Sequence, residues 1–84
     1  MVKVYSIPQC GYCTELKKKL TEDNIEFVDV NVYLEENKNE YNMIIEKANS
    51  NEVPIIKVGT QLLVPNVSFH SINEAFDLTK KFLV

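Results

Sequence analysis

The stretch Val2-Lys3-Val4-Tyr5-Ser6-Ile7-Pro8-Gln9-Cys10-Gly11-Tyr12-Cys13-Thr14-Glu15-Leu16 changes its period halfway along. Val2 and Val4 alternate with Lys3 and lead into Tyr5 and Ile7, the pattern of a half-buried strand, and Pro8 stops it because proline has no N–H to give a ladder. From Gly11 or Tyr12 to about Asp23 the apolar positions are Cys13, Leu16 and Leu20, at helical spacing, with Lys17, Lys18 and Lys19 on the other faces. The two cysteines sit three apart where strand gives way to helix.

The rest of the chain extends this unit. Phe27 to Val32 alternates, placing Val28, Val30 and Val32 on one side of a second strand. Asn37 with Glu40 three residues on reads as a helix cap, followed by the apolar stripe Tyr41, Ile44, Ile45 and Ala48, with the helix ending near Ser50. Pro54 to Val58, the Gly59-Thr60 turn and Gln61 to Val64 read as a hairpin. Ser71-Ile72-Asn73-Glu74 is a capping box ahead of a terminal helix with Ala75, Phe76, Thr79, Phe82 and Leu83 on one face. The expected order is βαβαββα. A βαβ crossover makes its strands parallel and the late hairpin must be antiparallel, so the fold class is α/β with a four-stranded mixed sheet and three helices.

With 84 residues, the chain has room for one domain, 1–84, and neither a repeat nor a low-complexity linker divides it. Apolar residues make up 45% and charged residues 25%, which argues against disorder and fibrous repeats. A formal charge of −3 leaves no basic excess to neutralise a phosphate backbone, so nucleic acid is not the expected partner. The apolar runs fall far short of the roughly 20 residues of a membrane span, and the N-terminus lacks a signal-peptide core, so a cytoplasmic, membrane-free protein is expected. Asn66-Val67-Ser68 matches a glycosylation sequon by chance under that expectation.

Cys10 and Cys13 are the only cysteines. At a helix start this spacing brings both sulfurs within disulfide reach, so the pair can cycle between dithiol and disulfide. Unpaired amides and the positive end of the helix dipole favour a thiolate at Cys10, and such settings bring a thiol from about 8.5 into the range of about 3.5–7.5. Cys10 is therefore the expected nucleophile and Cys13, one turn in on the apolar face, the resolving thiol. A structural zinc site would need four ligands, and two cysteines with the distant His70 supply too few without carboxylates. His70 otherwise reads as a loop histidine, Lys17 to Lys19 as a solvated face, and Phe69, Phe76 and Phe82 as core and lid.

Tyr5-Ser6-Ile7-Pro8-Gln9-Cys10-Gly11-Tyr12-Cys13 and Glu52-Val53-Pro54 resemble the active-site loop and the cis-proline segment of the glutaredoxins, in the thioredoxin superfamily, and the resemblance runs through essentially the whole chain. It implies a monomeric thiol–disulfide oxidoreductase that acts on protein disulfides or glutathione-mixed disulfides, with glutathione as co-substrate, no bound organic cofactor and ribonucleotide reductase among its partners. It implies further that Pro8 and Gly11 shape the loop, that Tyr12, Ser68 and Ser71 line the groove, and that Val53 pairs with an extended substrate beside Pro54. The residues alone leave the Val53-Pro54 bond open between a trans strand entry and a cis bond; the resemblance implies cis. Gly11 stands where proline is usual. Family members with a small residue there bridge a 2Fe–2S cluster between subunits through the first cysteine, so a cluster held at Cys10 is the alternative, from a non-enzymatic class. The family's lysine ahead of the motif falls on Ile7, its threonine before Val-Pro on Glu52, and its Gly-Gly followed by Asp on Val67, Ser68 and His70 or Ser71. A lost cation and a gained anion predict weak glutathione binding.

Overall fold

The computed structural model describes residues 1–83. Its elements follow the expected order: β1 (Val2–Ser6), α1 (Gly11–Glu22), β2 (Val28–Asn31), α2 (Lys38–Ala48) entered through a short 3-10 turn at Glu35–Asn37, β3 (Ile55–Val58), β4 (Gln61–Leu63) and α3 (Ile72–Leu83). The sheet runs β2-β1-β3-β4. β1 is parallel to β2 and antiparallel to β3, and β3 is antiparallel to β4.

Alternation along β1 and β3 builds two cores. Val2 and Val4 lie opposite Val58 and Ile56, and with Leu63 and Phe69 they receive Leu16 and Leu20 of α1 and Ile72 and Ala75 of α3. The other face joins Tyr5, Val30, Val32 and Ile55 to Ile44 of α2. Consecutive Ile55 and Ile56 thus serve opposite faces, as a period of two requires. Burying side chains such as Leu16 and Leu20 completely stabilises the fold by about 1.5–3 kcal/mol each.

Helix ends use asparagine where the chain must turn left. Asn24 (φ 57°) follows α1, and the Ile25 N–H donates to the Leu20 carbonyl at 2.9 Å; Asn49 (φ 54°) closes α2. Gly59 supplies φ 60° in the β3–β4 turn. At α3 the Ser71 hydroxyl accepts the Glu74 N–H at 3.1 Å, while the Glu74 carboxylate reaches back to the His70 N–H rather than to that of Ser71.

Three expectations are corrected. The Asn37 side chain does not cap α2, because its amide donates to the Asn31 carbonyl at 2.9 Å; Glu40 instead accepts from Tyr5 Oη at 2.7 Å and Lys3 Nζ at 2.9 Å. Val28 is exposed although it shares a face with Val30, because it pairs with Lys3, beyond the part of the sheet where Ile44 packs. Phe82 and Leu83 are also exposed, since the contacts of α3 with the sheet run through Ile72, Ala75, Thr79 and the partly buried Phe76 and Leu78.

Candidate active site

β1 delivers the chain into Pro8 and Gln9, where Gln9 takes φ 61°, an uncommon conformation for a residue with a Cβ and one that turns the backbone into α1. Cys10 is the N-cap of α1: its sulfur accepts the Cys13 N–H at 3.2 Å and its carbonyl the Thr14 N–H at 3.0 Å. The two sulfurs are joined as a disulfide across a Cα–Cα distance of 5.2 Å. Cys13 is fully buried on the Leu16 side of the helix, and Cys10 is half-buried. No acidic residue lies in the first turn, so nothing there opposes negative charge on the Cys10 sulfur.

Beneath α1, the almost fully buried Ser6 hydroxyl donates to Asp29 at 2.6 Å, and Lys17 closes on the other oxygen of Asp29 at 2.9 Å. One lysine of the expected solvated run therefore ties α1 to β2. Lys19 and Lys80 approach the Phe76 ring at 6.0 and 4.6 Å, so Phe76 carries cations on its face as well as contributing to the core.

A groove of about 510 Å³ adjoins the motif through Tyr12 and runs between the Asn51–Pro54 segment and the loop from Pro65 to Ile72. The Val53–Pro54 peptide is cis. Four residues named from the sequence, Tyr12, Val53, Pro54 and Ser71, line this one groove, as does His70. Ser68 is not among them: its hydroxyl accepts the Val64 N–H at 3.0 Å and lies 3.5 Å from the Leu62 carbonyl, holding the loop together. Pro8 and Gly11 are exposed at the mouth of the motif, and a side chain at Gly11 would meet open space. Across Val53 lies a second cleft, lined by Ile7, Tyr33, Lys38 and Tyr41 among others. The Tyr41 hydroxyl donates to the Asn51 carbonyl at 3.1 Å, and burial first, then the neighbouring Tyr33, raise its pKa above the ordinary phenol value. Sequence reasoning did not find Asn66, whose amide donates to Glu52 at 2.9 Å and links the two walls of the groove; Pro65-Asn66 is a turn signal that marks this loop.

The sequence model of the glutaredoxins matches residues 2–63, from β1 through the cysteine pair to β4. The chain belongs to the glutaredoxin family. A glutaredoxin-like 8.6 kDa protein of the Clostridium pasteurianum rubredoxin operon, itself uncharacterized, is 36% identical over 64 residues, which cover 76% of this chain and 83% of that one. Among solved structures, the buckwheat glutaredoxin–glutathione complex superposes with a TM-score of 0.71 at 13% identity, covering 98% of this glutaredoxin and 70% of that chain. The glutaredoxin-like NrdH-redoxin of Escherichia coli, described by a thioredoxin-like activity profile, superposes at 0.66 with 14% identity, covering 95% and 91%. The fold is thioredoxin-like. Family membership and the joined Cys10–Cys13 pair make this glutaredoxin a thiol–disulfide oxidoreductase.

Proposed function

We propose that this glutaredoxin reduces disulfides in proteins, with Cys10 as attacking thiol, Cys13 as resolving thiol and glutathione as a poor ligand. The carrying observation is the unequal burial of the two sulfurs at the start of α1. In the reduced protein, the Cys10 thiolate attacks one sulfur of a substrate disulfide, and the other sulfur leaves as a thiolate that takes up a proton. Cys13, losing its proton, then attacks Cys10 in the mixed disulfide, releases the second substrate thiol and leaves the Cys10–Cys13 disulfide. Two electrons pass from the dithiol to the substrate, and an external thiol or reductase restores it.

Val53 supports an extended substrate, because among the described residues neither its N–H nor its C=O takes a backbone hydrogen bond, and it forms the ridge between the two clefts. Glu52 on one wall and the apolar Ile7 on the other side of Val53 support weak binding of the doubly carboxylated glutathione. The name of the E. coli neighbour supports a thioredoxin-like choice of donor, and ribonucleotide reductase belongs with the protein substrates to be tried. In the 2Fe–2S alternative this chain would supply only Cys10, its accessible cysteine, so the cluster would need a second copy of the chain and external thiols, and weak binding of glutathione disfavours that assembly. The test compares reduction of the oxidised protein by glutathione and by thioredoxin reductase with NADPH, each coupled to insulin reduction. Faster turnover with the reductase, abolished by Cys10→Ser, is the expected result; glutathione as the better donor would overturn the reading.

A further inference from the structure

The groove beside Tyr12 has one carboxylate on the Asn51–Pro54 wall and, on the facing wall, the imidazole of His70 and the start of α3 at Ser71 and Ile72. Glu52 is that carboxylate, and no lysine lines the groove. Glu52 makes no ion pair among the described residues; its contact is the Asn66 amide, which holds one carboxylate oxygen at 2.9 Å and leaves the negative charge in place. Glu52 is the residue immediately before Val53, so a segment laid in extended form along that ridge passes its carboxylate within side-chain reach. Across the ridge the adjoining cleft carries Lys38 instead, so the charge sensed at the groove is local rather than the general acidity of the chain.

Building on the protein-disulfide reading, we propose that this groove selects substrate segments that carry lysine or arginine close to the reacting cysteine. Glu52 is the specificity-determining residue: it attracts a cation on the flank of the segment that crosses the groove and repels a carboxylate there. Side chains two residues from the cysteine lie on the same side of an extended segment as the cysteine itself, so that is the position read. Pairs at this exposure are modest singly, and replacing repulsion with attraction should change the rate about three- to tenfold.

Self-quenched fluorescent peptide disulfides test this, reduced by the pre-reduced protein in single turnover. Five homodimers are needed: lysine or glutamate two residues before the cysteine, lysine or glutamate two residues after it, and a neutral peptide with serine at both positions. The expected result is a lysine-over-glutamate rate ratio of about three to ten on one flank, which also reveals the sense in which the segment lies. That ratio should collapse towards one in Glu52→Gln, each rate being normalised to the same variant's rate on the neutral peptide, and shrink in 0.5 M salt. Ratios near one on both flanks, or a ratio that survives Glu52→Gln, would overturn the selectivity. The neutral peptide reports the dithiol chemistry separately: Cys10-dependent reduction without charge discrimination sinks only the selectivity, whereas no reduction of it at all sinks the protein-disulfide reading as well.

Discussion

Replacing Tyr5 with Phe removes one hydroxyl from a ring that is fully buried between β1 and α2, without opening a cavity. That hydroxyl donates to Glu40 at 2.7 Å, and Glu40 also holds Lys3 at 2.9 Å, so the change strips one of two donors from a carboxylate that fastens α2 to the sheet. A hydrogen bond to a charged group contributes about 1.5–3 kcal/mol when desolvated. The Glu40 side chain is 37% exposed, so water replaces part of the lost donor and the expected loss is about 1 kcal/mol. For a domain of this size that lowers Tm by about 4–8 °C. The pH dependence carries a sign. The Tyr5 hydroxyl first and Lys3 second hold the Glu40 carboxyl below its ordinary value of 4.5, while the Tyr5 phenol is raised, mainly by burial. A depressed carboxyl contributes stability that is complete above its unfolded value and fades as pH falls through its folded value. The gap between wild type and Tyr5→Phe should therefore be full at pH 7 and narrow below about pH 4. Urea and thermal unfolding of both oxidised proteins, at pH 7 and pH 3, measure it. An equal gap at the two pH values, or none at pH 7, would refute the assignment of this energy to the ionised Glu40.

Cys13→Ser should accumulate a stable mixed disulfide through Cys10, while Cys10→Ser accumulates none through Cys13; mass spectrometry after incubation with an oxidised protein substrate reads both. Ile7→Lys with Glu52→Thr should raise turnover of glutathionylated substrate about 5- to 30-fold through KM, leave reduction of a peptide disulfide with neutral flanks nearly unchanged, and lower Tm because Ile7 packs against the Tyr5 and Ile55 core. Gly59→Ala should cost about 1 kcal/mol in urea unfolding, from its φ of 60° alone, since a Cβ there meets no neighbour. Leu20→Ala, at a fully buried site shared by α1 and the sheet, should cost about 2–5 kcal/mol by the same measurement.

Signals that act over a few residues were legible in the sequence. The period change around Pro8, the Gly59-Thr60 turn and the Ser71 cap each depend on neighbouring backbone geometry, and each stands where it was expected. Long-range partners were not legible. Glu40 has the spacing of a capping acid, yet folding brings it a buried phenol and a lysine from β1, 35 and 37 residues away, and charge-assisted bonds to those outweigh a local cap. Val28 and Phe82 fit their apolar stripes, but a stripe does not say how far along an element the facing layer extends. Of the site, the cysteines and the Val53-Pro54 segment could be named from motif; the bond between Asn66 and Glu52 joins two loops and needed the fold.

The unequal burial of Cys10 and Cys13 gives direction to a bond that is symmetric in its chemistry. An incoming thiol can strike either sulfur of a free disulfide, but here one sulfur lies under the helix and the other at its mouth. Every exchange with the outside must then enter and leave by the same atom, and the hidden sulfur meets only its neighbour three residues away. On the mechanism proposed above, the helix start works as a single port for bond-making: a partner is held covalently at one point, and its release comes from the sulfur inside the protein rather than from whatever thiols surround it.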